Sequence, residues 1–162
     1  MPSKLRKTSK KRLSKQLEIL PKAADKRRLF IDPASISSGW ALYEGAKLVA
    51  HGTVATEKKW SVFVRLHDIW RQYRQLSFTN LDEVHIEKLP RRCHHYTMWS
   101  VGVIGHALVP LTSKIDDEAP VKSWQKHVSW RDVEGSWKER GYKSEDEFAA
   151  VCIGKWYVET RA

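Results

Sequence analysis

The chain has 162 residues, of which 41% are hydrophobic, and this is enough for the core of one domain. It carries 29 Lys and Arg against 19 Asp and Glu, a formal net charge of +10. No apolar run approaches the roughly 18 to 20 residues of a membrane span, and no apolar secretion signal follows the basic N-terminal residues. We therefore expect a soluble, unsecreted protein. Two cysteines, Cys93 and Cys152, are too few for a disulfide framework or a Cys-based zinc finger.

Residues 1–28 hold most of the excess charge, with 11 basic and 2 acidic side chains. The segment is rich in Lys and Ser and poor in aromatic residues, so it cannot bury enough apolar surface to offset chain entropy. It is interpreted as a basic, disordered arm that binds nucleic acid, followed by a folded domain over residues 29–162. A solubility tail is the first alternative. A mitochondrial transit peptide is the second, although such peptides favour Arg and here Lys predominates.

Three strands and a helix are predicted in the first half of the domain. The apolar runs LFID, WALY and KLVAHGTVAT, joined by turn-forming residues, favour an antiparallel meander. Apolar residues at three- and four-residue spacings then predict an amphipathic helix over residues 60–77 that covers the sheet.

The second half alternates strands and helices. A fourth strand is predicted within residues 81–89, a helix from His95 to Val109 with Trp99 on its apolar stripe, and a short fifth strand over residues 119–123. Residues 124–143, with three tryptophans, have no clear pattern. Ser144 begins a capping box and a final helix that extends to about Glu159. The order predicts an α/β domain.

Three carboxylates lie where such elements can bring them together. Asp32 ends the first strand, Glu87 lies near the end of the fourth, and Asp146 lies in the first turn of the last helix. Oxygen ligands on rigid elements suit Mg²⁺ or Mn²⁺, and two such ions can catalyse phosphodiester hydrolysis. Each residue alone has a simpler explanation, since Asp before Pro forms turns and an acid in a first helical turn complements the helix dipole.

The segments LFIDPASISSGWALYEG, VHIEKLP and SEDEFAAVCIGKWY together resemble the RuvC-type Holliday junction resolvases of the ribonuclease H-like superfamily. The resemblance covers most of residues 29–159. It implies a mixed five-stranded sheet flanked by helices, and a homodimer that nicks opposing strands of a four-way DNA junction, leaving 5′-phosphate and 3′-hydroxyl ends. It further implies two Mg²⁺ or Mn²⁺ ions per site, with Asp32 bridging both and Glu87 and Asp146 each supporting one, and no small-molecule cofactor.

The chain departs from the family pattern at two positions. Ala34 replaces the usual Gly, which ordinary backbone angles tolerate. Ala149 occupies the second acidic position of the last helix, one turn after Asp146, and we keep it in the predicted catalytic set. Three explanations are open: an inactivated Asp-to-Ala variant, substitution by Glu145 or Glu147, or a naturally weak or inactive enzyme. The first is slightly favoured, because Glu147 lies about 100° around the helix from Asp146 and also has a capping role.

Further residues are predicted to contact nucleic acid. In the segment KLPRRCHHY, Arg91 and Arg92 can bind phosphates, and Tyr96 can stack on an unpaired base. The alternative is a solvated loop whose tyrosine packs against the domain. A basic residue near the cleaved phosphate would neutralise developing charge, and the candidates are Lys122, Lys126 and Lys138.

Two other functions remain open at this point. One is a related nuclease that acts on flaps, forks or RNA–DNA hybrids, and the other is a nucleic-acid-binding module without catalysis. Small size and a basic arm are associated with phages and similarly compact genomes. The expected location is the cytoplasm, or the host cytoplasm for a phage protein, with mitochondria less favoured.

Overall fold

The computed structural model describes residues 26–112 and 114–161; most of the predicted arm, residues 1–25, lies outside them. Five strands form one mixed sheet in the order β3-β2-β1-β4-β5. The strands are β1 (Arg27–Asp32), β2 (Ser37–Glu44), β3 (Lys47–Ala55), β4 (Glu83–Lys88) and β5 (Ile115–Pro120). The first three form the predicted antiparallel meander, and β4 and β5 continue the sheet in parallel with β1.

Helices cover both faces of this sheet. They are α1 (Val62–Gln75), α2 (His95–Leu108), α3 (Val121–His127), α4 (Trp130–Val133) and α5 (Glu145–Thr160), with a 3₁₀ turn at Val109–Leu111 after α2. Side chains alternate along β1, so Leu29 and Ile31 join the core formed with α1 and α2, whereas Phe30 joins the core formed with α5. The α/β architecture with a flanked five-stranded sheet is therefore confirmed.

Side-chain caps are present at the starts of α1, α2 and α5, and at α2 the His94 ring accepts from the Tyr96 amide at 3.3 Å. The Ser61 hydroxyl accepts from the Val64 amide at the start of α1, two residues after the predicted helix start. The Ser144 hydroxyl accepts from the Glu147 amide at 3.1 Å, which confirms the predicted cap of α5. The Glu147 carboxylate, however, accepts from the Lys143 amide at 2.7 Å and from side chains of β3 rather than completing the capping box on Ser144.

The domain begins earlier than the predicted boundary at residue 29. Strand β1 starts at Arg27, and the buried guanidinium of Arg28 donates to Glu83 of β4 at 2.9 Å. Basic residues at 27 and 28 thus belong to the sheet, because the neighbouring strand supplies a buried carboxylate.

The predicted position of the fifth strand is wrong. The strand ends at Pro120, and residues 121–127 form helix α3. Pro120 cannot donate a hydrogen bond to extend the ladder, and its fixed φ of −69° suits the residue before a helix. The unassigned segment 124–143 contains the rest of α3 and all of α4.

Helix α2 buries less of its apolar stripe than predicted. Ile104 and Leu108 are fully buried, but Trp99 is 43% exposed. No helix in the described part of the chain is long and apolar enough to span a membrane.

Candidate active site

Two of the predicted carboxylates meet at the ends of adjacent parallel strands. Asp32 and Glu87 each lie one residue beyond the last residue pair in the parallel register of β1 and β4. Asp32 shares its face of the sheet with Phe30, and Glu87 shares its face with His85. The Phe30 and His85 rings stack at 5.1 Å, so the two carboxylates project to one side, towards α5, and they lie within hydrogen-bonding reach of each other.

Gly39 brings the third carboxylate to the same place. It pairs directly with Asp32 in the β1–β2 ladder, and a Cβ atom at Gly39 would overlap the backbone carbonyl of Asp146. The first turn of α5 therefore packs onto bare strand backbone. At the other end of the contact, a Cβ atom added at Gly154 would overlap the Tyr43 ring. These close approaches hold α5 against the sheet and place Asp146 beside the strand ends.

The site concentrates negative charge in a partly buried space. Burial raises the pKa of Asp32 well above its ordinary value, and the charges of Glu87 and Asp146 raise it further. Burial also raises the pKa of Asp146, with a smaller contribution from Glu145. The pKa of Glu87 is raised by burial, although hydrogen bonds with Trp124 and Asp32 act in the opposite direction. Like charges held this close favour either a shared proton or a bound cation.

Trp124 is a site residue that the sequence did not reveal. Its indole Nε1 donates to Glu87 Oε1 at 2.7 Å, and its side chain is 2% exposed. The ring also packs edge-on against Trp130 with centroids 5.0 Å apart. The tryptophan-rich composition of residues 124–137 was the only available signal, and it does not specify which ring contacts a carboxylate.

Ala149 lies one turn after Asp146 and is 3% exposed, in the same buried cluster as Trp124. Glu147 is poorly placed to replace the missing acid, because its carboxylate bonds to His51 Nδ1 at 2.6 Å and to the Thr53 hydroxyl at 3.2 Å on β3. Glu145 is exposed and contributes to the raised pKa of both Asp32 and Asp146. Of the two glutamates considered as substitutes for the missing acid, Glu145 is thus the one that lies near Asp32 and Asp146.

The residues predicted to contact nucleic acid are distributed around the site rather than collected in it. Arg91 and Arg92 are exposed in the turn between β4 and α2. Tyr96 is half-buried, with its ring 5.6 Å from that of Trp99 and under the guanidinium of Arg65, so it packs among neighbouring side chains.

The three candidate lysines also differ in position. Lys122 and Lys126 are exposed on α3, two residues to either side of Trp124. At 100° per residue, both point away from the face that contacts Glu87. Lys138 lies outside the helices, with its ammonium 5.1 Å from the Trp137 ring centroid.

The donor set fits a hard divalent cation. Three carboxylates supply only oxygen ligands, which Mg²⁺ and Mn²⁺ prefer, and a cation would relieve their mutual repulsion. Within residues 26–112 and 114–161, no three His, Cys, Asp or Glu side chains form a preassembled metal-ligand cluster. The fit therefore rests on the chemistry of the donors and on their shared location.

A second buried polar network lies at the opposite end of β1 and β4. Glu83 accepts hydrogen bonds from Lys26 at 2.7 Å and from Arg28 at 2.9 Å. His85 bridges Glu83, at 3.1 Å, and Asp116 on β5, at 2.6 Å. This network ties β1, β4 and β5 together away from the candidate site.

The fold is shared with solved junction resolvases. The T. thermophilus RuvC in complex with Holliday junction substrate superposes with a TM-score of 0.61 at 13% identity, over 84% of this chain and 96% of that one. A second Thermus thermophilus RuvC structure gives 0.55 at 14% identity, over 82% and 95%. The fowlpox virus Holliday junction resolvase gives 0.51 at 16% identity, over 83% and 99%. No protein-family model and no curated protein matches the sequence.

These similarities define the fold of the chain. It is the ribonuclease H-like fold of the RuvC-type resolvases, as the sequence resemblance predicts. Almost the full length of each solved resolvase is matched, so the shared fold includes the sheet and the helices that carry the candidate site.

Proposed function

We propose that the chain is a metal-dependent endonuclease that resolves four-way DNA junctions by paired nicks, leaving 5′-phosphate and 3′-hydroxyl ends. The observation that carries the proposal is the convergence of Asp32, Glu87 and Asp146 at one edge of a resolvase-type fold. Three like charges in a partly buried position lower stability, and a catalytic metal site gives a reason for their placement.

In this proposal Asp32, Glu87 and Asp146 would hold two Mg²⁺ or Mn²⁺ ions, which would supply an activated water and neutralise charge on the cleaved phosphate. The chain's own contribution is to fix the three carboxylates. Trp124 holds Glu87 through its indole N–H. The Ser38 hydroxyl donates to the backbone carbonyl of Asp32 at 3.0 Å and also contacts the Tyr73 hydroxyl at 2.7 Å, which immobilises the end of β1.

The proposed substrate contacts lie beside this edge. Arg91 and Arg92 lie in the turn after β4, where they would bind phosphates. Tyr96 would reach a base only by leaving its contacts with Arg65 and Trp99. The basic residues 1–28 would add sequence-independent attraction to DNA.

Paired nicking requires two sites, and we propose a homodimer. Support comes from an apolar groove of about 760 Å³ between α1 and α2, bordered by Phe63, Met98 and Trp99, which are 72%, 55% and 43% exposed. Exposed apolar surface of this kind often marks a protein contact. Sedimentation at micromolar concentration tests the assembly: the intact chain is expected to be a dimer, and a monomer would count against paired nicking.

The function is tested by cleavage of a labelled four-way junction and a matched duplex in Mg²⁺ or Mn²⁺. We expect junction-selective nicking that is lost in Asp32→Asn. Flap, fork and RNA–DNA hybrid substrates belong in the same experiment. Equal cleavage of these substrates would support the broader nuclease and contradict junction resolution.

Ala149 favours a second candidate, a nucleic-acid-binding module that has lost catalysis. An alanine at this position removes one carboxylate from the helix face that carries Asp146. Tight, salt-sensitive DNA binding that is unaffected by Mg²⁺ and by Asp32→Asn, without any cleavage, would support it.

A further inference from the structure

A cationic cavity lies between α3 and α4, with a volume of about 630 Å³. Three cationic side chains, Lys122, Lys126 and Arg131, line it together with one acid, Asp132. All four are exposed, and none of them has an ion-pair partner among the described residues. The cavity thus has an excess of positive charge that no ion pair within residues 26–112 and 114–161 neutralises.

The geometry of α3 separates this cavity from the carboxylates. Lys122 and Lys126 are four residues apart and therefore share one face of the helix. Trp124, midway between them, projects from the opposite face and donates to Glu87. A helix with its side chains is about 10 to 12 Å across. A ligand in the cavity would thus lie roughly one helix diameter from the candidate active site.

The lining is suited to a phosphate group. The lysines are point charges, the guanidinium of Arg131 can donate two parallel hydrogen bonds, and Gln125 and Ser129 add neutral donors. The cations lie at the surface rather than in an enclosed pocket, which favours a phosphate on an extended chain over a small enclosed metabolite.

We propose that this cavity binds two or three successive backbone phosphates of one strand of the DNA substrate, distinct from the phosphate at the carboxylates. The inference rests on the proposed function, which supplies DNA as the ligand. From sequence, Lys122 and Lys126 were candidates to neutralise charge at the cleaved phosphate. In this proposal they instead bind the DNA strand away from the cleaved bond. It also adds Arg131 to the DNA surface.

Trp130 connects the cavity to the site. It lines the cavity and packs against Trp124, which in turn holds Glu87. Helices α3 and α4 therefore both line the cavity and support the position of Glu87. A DNA strand held in the cavity thus lies at a defined distance from the candidate active site.

The test is the salt dependence of junction binding, measured by fluorescence anisotropy in EDTA so that no cleavage occurs. The triple variant Lys122→Ala, Lys126→Ala, Arg131→Ala is compared with a matched triple that removes three exposed cations elsewhere: Lys47→Ala, Arg74→Ala, Lys155→Ala. Each phosphate contact contributes about 0.9 to the slope of log K against log salt concentration. We expect the cavity triple to lower the slope by roughly 2 to 3, and the matched triple to lower it by less than 1.

Several outcomes would overturn the proposal. One is a salt-dependence slope for the cavity triple that equals the slope for the matched triple. A loss confined to the cleavage rate at saturating protein, with affinity retained, would instead place the lysines at the cleaved phosphate. Thermal stabilisation of the intact chain by inorganic phosphate, with no change in the DNA slope, would indicate a site for free phosphate.

The same experiment separates failure of this proposal from failure of the proposed function. If the intact chain binds DNA but does not cleave it in Mg²⁺, the slope in EDTA still reports on the cavity. If the intact chain does not bind DNA, both proposals are contradicted.

Discussion

At the scale of single residues, the lack of a side chain at Gly39 determines where Asp146 lies. Strand backbone and helix backbone meet there, so neither partner can move aside as a flexible side chain could. We expect Gly39→Ala to displace the start of α5, to abolish cleavage and to lower the free energy of unfolding by about 1 to 3 kcal/mol.

Gly105→Ala is the matched control for this substitution. Gly105 lies in α2 with no atom within 4 Å of an added Cβ, so alanine there should raise stability by about 0.5 to 1 kcal/mol. Urea denaturation and junction cleavage measure both variants. A Gly39→Ala protein with full activity would contradict the proposed role of the contact.

Trp124 gives a second prediction at this scale. Trp124→Phe keeps a buried ring but removes the indole N–H that donates to Glu87. A hydrogen bond to a charged group contributes about 1.5 to 3 kcal/mol, so we expect Mn²⁺ affinity to fall roughly tenfold or more. Calorimetric Mn²⁺ titration measures the effect without reference to cleavage.

Trp130→Phe is the control, because Trp130 packs on Trp124 but donates no described hydrogen bond to a site carboxylate. It should retain the Mn²⁺ affinity of the parent. Equal affinity in the parent and in Trp124→Phe would show that the indole N–H does not position Glu87 for metal.

The site residues differ in how far sequence could identify them. Asp32, Glu87 and Asp146 were predicted because each lies at a strand end or in a first helical turn and because the segments around them resemble the RuvC-type resolvases. The bond from Trp124 to Glu87 spans 37 positions and depends on how α3 packs, which no local pattern encodes. The orientation of Glu147 towards His51 was missed for the same reason.

At the scale of elements, periodic segments were predictable and charged ones were not. Strands β1 to β4 and helices α1 and α2 contain apolar runs or apolar periodicity, and α5 begins at a capping serine, so each of these elements has a local signal. Strand β5 begins Ile-Asp-Asp-Glu and lacks that signal, because it is held by pairing with β4. Helices α3 and α4 are too short for a period to be visible, and tertiary packing of Trp124 and Trp130 supports them.

The ionic network between β1 and β4 makes stability depend on pH. Burial opposes the ionisation of Glu83, but hydrogen bonds from Lys26, Arg28 and His85 outweigh it and lower the pKa of Glu83 from 4.5 to about 2. Because the pKa of Glu83 is lower in the folded state than in the unfolded state, its ionisation stabilises the fold at pH values above about 4.5. This stabilisation is lost as the pH falls from about 4.5 to about 2.

We therefore expect Glu83→Gln to be less stable than the parent at neutral pH, with a difference on the order of 3 kcal/mol that shrinks below pH 4.5. Glu44→Gln is the control, since Glu44 is about half exposed and pairs with Arg27 at the surface. Denaturation at several pH values measures both. A pH-independent difference for Glu83→Gln would contradict the assignment.

Helix α5 has alanine at position 149, where the family pattern has an acidic residue. Ala149→Asp places a carboxylate on the face of Asp146, and we expect it to increase Mg²⁺-dependent cleavage over the parent, at a cost in stability without metal because the position is 3% exposed. Ala150→Asp, at the neighbouring buried position, should lose stability with no gain in cleavage. No gain from Ala149→Asp would mean that Ala149 is not a disabled ligand.

At the scale of the whole molecule, the two ends of the central parallel strands have different roles. The end near Glu83 and Arg28 pairs its buried charges and stabilises the sheet. The end with Asp32 and Glu87 gathers like charges that have no ion-pair partner among the described residues, and a structural role does not explain this arrangement. The cationic cavity and the loop with Arg91 and Arg92 lie on elements that border this second end, so the proposed DNA surface surrounds the proposed chemistry.

The most direct test of this account is the cleavage of a supercoiled plasmid that extrudes a cruciform, in Mg²⁺, by the chain and by Asp32→Asn. Paired nicking at the four-way junction predicts linear plasmid, with both nicks mapping to symmetric positions at the cruciform and no product from Asp32→Asn. Nicked circles with breaks outside the cruciform, or no cleavage by either the parent or Ala149→Asp, would contradict junction resolution by this site.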